Sequence, residues 1–142
     1  FACILCMRKG GRMVETIDDL AGLGKTHPML AATIVVFMFS LAGIPPLAGF
    51  FGKLYVFLAA IEAGLFVLAI IGVVTSVIGA FYYLRIIKVM YFDDPIDSLD
   101  TPIGKELTLV IASTSIIILL FFVYPAPILA GAATAAASLF AG

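Results

Sequence analysis

Charge is scarce in this sequence. Of 142 residues only 12% are Asp, Glu, Lys or Arg, 63% are hydrophobic, and the mean hydropathy is +1.23. A soluble domain is about a quarter charged and about half apolar, so that class is excluded. Strand-like alternation of apolar and polar residues is missing too, which excludes a membrane barrel and leaves helices. There is no initiator Met and no signal peptide. The chain is therefore expected to be a piece of a larger protein, entered inside a helix. The Cys3-x-x-Cys6 pair has no second cysteine pair and no nearby His. It reads as small apolar residues on a helix face, and no metal or redox site is expected there.

What is present is uncharged length. Met29 to Gly52, Ala63 to Leu84 and Leu107 to Gly142 carry no charge. Each exceeds the roughly 18 apolar residues that signal a spanning helix. The expected class is all-α, a polytopic transmembrane helical bundle. Residues 1–7 end a truncated spanning helix. Residues 8–28 form a polar loop with room for an interfacial helix, where Thr16 and Asp19 fit a capping pattern. Pro28 suits an early helical position. Residues 29–62 form an interrupted helix and 63–91 another span, with Gly72, Ser76 and Ala80 as a small-residue face for close packing. Residues 92–102 are an acidic loop, and Asp100, Thr101 and Pro102 start the last span, 103–124. Ser113, Thr114 and Ser115 read as interhelical hydrogen-bonders. Residues 125–142 are a small-residue segment, opened by Pro125 and Pro127, that either continues as a span or lies at the surface.

The stretch SLAGIPPLAGFFGK, Ser40 to Lys53, is the informative one. As one straight helix, 29–62 would be roughly 50 Å long against a hydrocarbon core of about 30 Å. Pro45 and Pro46 interrupt it, because proline lacks the backbone donor and clashes with the preceding turn. The segment either crosses once as a broken helix or returns as a hairpin. If it crosses once, Arg8, Lys9, Arg12 and Lys25 share a side with Arg85, Lys88 and Lys105, and the other side holds only Glu62. A hairpin splits those cations across the membrane. The positive-inside rule prefers the single crossing, with the basic side cytoplasmic.

A helix break in lipid is tolerated only where protein or a wet cavity satisfies the freed backbone, and transporters place such breaks at ion sites. Residues Ile44, Pro45, Pro46 and Leu47 are the expected break. Lys53 lies beyond it, well inside the helix end marked by Glu62. An intramembrane lysine costs about 2.5–3.5 kcal/mol to insert, so it should face the interior and have a use. Exchange of a proton in a wet interior is such a use. The structural alternatives are a plain proline kink and a lysine snorkelling to the interface.

The blocks FSLAGIPPLAGFFGKLYVF and YYLRIIKVMYF, within Met29 to Pro125, resemble the antiporter-like membrane subunits of proton-pumping NADH–quinone oxidoreductase, respiratory complex I. The Lys-Leu-Tyr-Val continuation and the Tyr-Tyr-Leu-Arg helix end favour the subunit N branch. The resemblance implies the C-terminal part of an inverted-repeat fold, with 29–62 as the discontinuous helix of the second repeat. It puts Lys53 at the family's essential lysine, in G-F-x-G-K, near the proton exit. Arg85 and Lys88 fit interfacial anchors. The implied function is proton translocation in a bacterial inner membrane, with the C-terminus periplasmic. No cofactor is expected in this chain, since flavin, iron–sulfur clusters and the quinone site belong to other subunits. The implied partners are the other membrane subunits of complex I, the lipid bilayer, protons and water, but no nucleic acid. The alternative is a subunit of a multisubunit sodium/proton antiporter, which shares the broken-helix block.

Overall fold

The computed structural model describes residues 2–45, 47–95 and 104–139. Pro46, the acidic residues Asp97 and Asp100, and the helix-start residues Thr101 and Pro102 lie outside the described residues. The chain is a bundle of helices: α1 (Ala2–Cys6), α2 (Leu23–Thr26), α3 (Pro28–Ala42), α4 (Ala48–Glu62), α5 (Phe66–Phe92), α6 (Lys105–Val123) and α7 (Ala126–Leu139). Between α1 and α2, β1 (Arg8–Lys9) and β2 (Arg12–Met13) pair antiparallel around Gly10 and Gly11, both at positive φ. Two consecutive left-handed residues are what a tight hairpin turn requires.

The interval between Met29 and Glu62 is two helices in series. Helix α3 begins with Pro28 in its first turn, where the missing N–H costs nothing. It stops at Gly43, whose φ is +83°. The Gly43 N–H donates to the Ser40 carbonyl (3.0 Å) and the Ile44 N–H to the Phe39 carbonyl (3.1 Å), the paired bonds of a Schellman stop. Helix α4 stops in the same way: Gly64, at φ +74°, donates to Ile61, and Leu65 donates to Ala60 (2.8 Å). The glycines thus end both half-helices, and Pro45 follows a stop already made.

Helix α5 is the common wall. At 27 residues it is roughly 40 Å long. Among the described residues it is the one unbroken helix long and apolar enough to cross a bilayer, while α6 and α7 form a bent pair at 90°. Near its start α5 packs on α4, where Gly72 takes the Phe57 ring: a β-carbon at residue 72 would lie 2.7 Å from it. Toward its end Ile86 and Met90 pack in one buried cluster with Leu30, Ala31 and Ile34 of α3, Ile111 of α6, and Cys3, Cys6 and Met7. The two half-helices therefore occupy successive lengths of a single partner. Cys3 and Cys6 are unbridged, and the Cys6 thiol donates to the Cys3 carbonyl (3.0 Å).

The loop before α3 straps the far end of α5. Thr16 and Asp19 form reciprocal capping bonds, Thr16 Oγ1 donating to the carboxylate at 2.7 Å and the Asp19 N–H donating to Thr16 Oγ1 at 3.3 Å. They open one 3-10 turn, Asp18–Leu20. The Gly22 N–H donates to the Val89 carbonyl, Gly24 lies against the Tyr91 ring, and Lys25 pairs with Asp94 at 2.9 Å. Gly22 is at φ +68°, and a β-carbon there would lie 2.5 Å from the Pro95 backbone. Gly22→Ala is therefore expected to cost about 1–3 kcal/mol locally and to undock the strap. Hydrogen exchange of residues 16–27 in the assembled protein checks this; unchanged protection would contradict it.

Candidate functional site

The break between α3 and α4 leaves orphan groups on both sides, carbonyls at the end of α3 and N–H groups at the start of α4. The structure supplies a partner to several of them. Phe39 and Ser40 carbonyls accept from the Schellman turn. The Phe50 N–H donates to the Leu47 carbonyl (3.0 Å) and the Leu47 N–H to Ile44 (3.1 Å). The Gly49 N–H donates to Ser40 Oγ (3.2 Å). The Ala42 carbonyl accepts from Lys53 Nζ at 3.0 Å.

Lys53 thus lies on the carbonyl end of α3. A helix C-terminus carries about half a negative charge and attracts a cation. The lysine stem runs over Gly43, where a β-carbon would lie 2.9 Å from its Cδ. The side chain is part-buried by this chain, neither enclosed nor free. Among the described residues no carboxylate lies within 4.0 Å of it. Its partner is backbone, which only a broken helix makes available. The start of α4 is held from the other side by Phe51, whose ring meets Phe121 of α6 edge-on at 5.5 Å.

Of the sequence-derived site residues, the structure brings Ile44 and Leu47 together in the turn that restarts the chain, with Pro45 exposed between them. Arg85 and Lys88 stand apart from Lys53, toward the far end of α5. Both are exposed, and Lys88 pairs with Asp93 at 3.5 Å. Ser113 and Thr114 do not bond across helices as expected; their hydroxyls return to carbonyls of α6 itself, Thr114 to Val110 at 2.7 Å. Ser115 Oγ is buried and has no partner in the structure. The residue that sequence reasoning missed is Ser40. Its signal was a serine three residues before the stop glycine, with another glycine nine residues on.

Discontinuous helices whose freed carbonyls meet cations recur in membrane transport proteins. Residues 1–79, which include the break and Lys53, match the family described as NADH:quinone oxidoreductase/Mrp antiporter, transmembrane, and the chain belongs to that family. Curated relatives are similar over nearly its whole length. NADH-quinone oxidoreductase subunit N of Paramagnetospirillum magneticum is 60% identical over 140 residues, 99% of this chain and 29% of the relative. The subunit N of Methylobacterium nodulans is 61% identical, with the same shares covered. Among solved structures, a chain of respiratory complex I from Thermus thermophilus with bound aureothin is similar, at TM-score 0.74 and 28% identity, over 87% of this chain and 28% of that one. The chain thus spans under a third of the length of these relatives.

The two stop glycines separate backbone strain from contact with the lysine. Gly64 has nothing within 4 Å of its would-be β-carbon. Gly64→Ala should cost only the left-handed strain, about 1–2 kcal/mol. Gly43→Ala adds a contact only with the flexible Lys53 stem, which can yield by leaving the Ala42 carbonyl, so the two variants should have similar thermal unfolding midpoints. A midpoint for Gly43→Ala far below that of Gly64→Ala in the purified assembly would show that the stem cannot move aside.

Proposed function

We propose that this chain is part of a proton-translocating membrane subunit of an NADH:quinone oxidoreductase and that Lys53 takes up and releases the proton. The observation that carries this reading is the Lys53 ammonium on the Ala42 carbonyl at the break. An ammonium gains more from that carbonyl than a neutral amine does. Losing the proton therefore loosens the contact and lets the side chain leave α3, and regaining it draws the side chain back. A neighbouring charge that changes in step with redox work elsewhere would drive the cycle. The groups at Ile44 to Leu47 would hold water along the route. No bond-making chemistry falls to this chain; redox cofactors and the quinone site belong to other subunits, and its partners are the other membrane subunits of the complex and the lipid bilayer.

The series arrangement of α3 and α4 along α5 supports one crossing of the bilayer by residues 29–62. The charges then put the strap, Arg85, Lys88 and Lys105 at the cytoplasmic face, with Arg85 and Lys88 as anchors, and Glu62 and α7 at the periplasmic face of a bacterial inner membrane. The family description also names Mrp antiporters. A sodium/proton exchanger is therefore the second reading, marked by sodium-dependent transport without quinone reduction.

In the full-length subunit assembled in its complex and reconstituted in vesicles, Lys53→Ala should cut both pumping and coupled quinone reduction at least tenfold, about 1.4 kcal/mol or more in the rate-limiting barrier. Wild-type pumping by an assembled Lys53→Ala complex would reduce the lysine to an anchor. Topology has its own check. A membrane-impermeant maleimide should label Arg12→Cys only from the cytoplasm and Glu62→Cys only from the periplasm; labelling of both from one side would restore the hairpin.

A further inference from the structure

We propose that Ser40 is a positioning residue for Lys53, acting through the first turn of α4; the proposal rests on the reading of Lys53 given above. Helix α4 has no cap of its own, because its N-cap residue is Leu47, whose side chain cannot accept a hydrogen bond. The acceptor comes instead from the preceding helix. Ser40, buried at 9% exposure in the last turn of α3, takes the Gly49 N–H on its hydroxyl oxygen. That N–H is one of the donors a helix start leaves without an intrahelical partner.

The approach is as close as backbone allows. A β-carbon at Gly49 would overlap the Ser40 carbonyl oxygen, so only glycine fits at that position. The same carbonyl accepts the Gly43 N–H at 3.0 Å. One residue therefore secures both sides of the break: its carbonyl closes the stop of α3, and its hydroxyl caps the restart at α4. Lys53 is four residues after Gly49, one turn further on the same helix face. Fixing Gly49 against Ser40 sets the origin from which the lysine stem reaches back over Gly43 to the Ala42 carbonyl. Without the clasp the first turn of α4 is free to fray, and the lysine loses its register on the end of α3.

The test is a double-mutant cycle in the full complex, assembled and reconstituted in vesicles, reading the rate of proton pumping during quinone reduction. Ser40→Ala should lower pumping roughly fivefold, the change in population that loss of one helix cap produces. Ser40→Thr keeps the hydroxyl and should restore most of it. Ser40→Cys keeps the volume with a poorer acceptor and should lie between. In a Lys53→Ala background, Ser40→Ala should add nothing. The proposal is overturned by wild-type pumping in assembled Ser40→Ala and Ser40→Cys complexes, or by a Ser40→Ala loss that persists in full without Lys53. Failure of Ser40→Ala to assemble while Ser40→Cys assembles and pumps normally also overturns it, since the serine is then a packing residue. Wild-type pumping by Lys53→Ala alone sinks the lysine reading and this one with it, whereas an impaired Lys53→Ala beside an intact Ser40→Ala sinks only the role of Ser40.

Discussion

A backbone amide or carbonyl in the hydrocarbon core of a membrane has no water to turn to, and leaving it unpaired costs several kcal/mol. The break between α3 and α4 must meet that constraint, and the rest of the bundle is arranged around the way it does. The carbonyls of α3 are taken by a glycine turn and by a lysine. An amide of α4 is taken by a serine one turn before the stop of α3. None of these partners is polar surplus; each answers a specific orphan group. The lysine differs from the others in that it is a cation on the carbonyl end of a helix.

The surroundings keep this small polar region in place. Helix α5 runs past both half-helices, with Phe57 seated on Gly72 beside α4 and a buried cluster around Met90 beside α3. The strap from Thr16 to Lys25 then ties the start of α3 to the end of α5 through Val89, Tyr91 and Asp94. Helix α3 is thereby tied at its outer end, and α4 is seated through Phe57. A cavity of about 670 Å³, lined largely by apolar side chains including Ile34, Phe37 and Ile86, reaches Ser40 from the α3 side. The lysine stem is the long side chain that lies across the gap.

Much of this was legible in the residues. The uncharged runs announced helices in lipid, because no other open structure satisfies its own backbone there. The S-L-A-G-I-P-P run announced an interruption, and Lys53 a cation close to it. Gly72 was read correctly as a close-packing position. The cause of the stop was less visible: proline is the conspicuous breaker, but Gly43 ends α3 before Pro45 is reached. A left-handed glycine leaves no mark in a sequence that distinguishes it from a glycine inside a helix. The hydroxyls of Ser113 and Thr114 were misjudged for a related reason, since a serine or threonine can satisfy itself on its own helix as readily as on a neighbour.

What the sequence by itself determined is the solvent, the helical class, the place of the interruption and the identity of the one charge inside it. These follow from local composition and from what lipid forbids to the backbone. What only the tertiary structure decided is which group answers which. That Ala42 offers its carbonyl to Lys53, that Ser40 caps a helix it does not belong to, and that Gly49 must be bare to let it do so depend on where two half-helices come to rest against α5 and α6. A hydrogen bond requires its partners within about 3 Å and in line, and no spacing along a chain specifies that until the helices have packed.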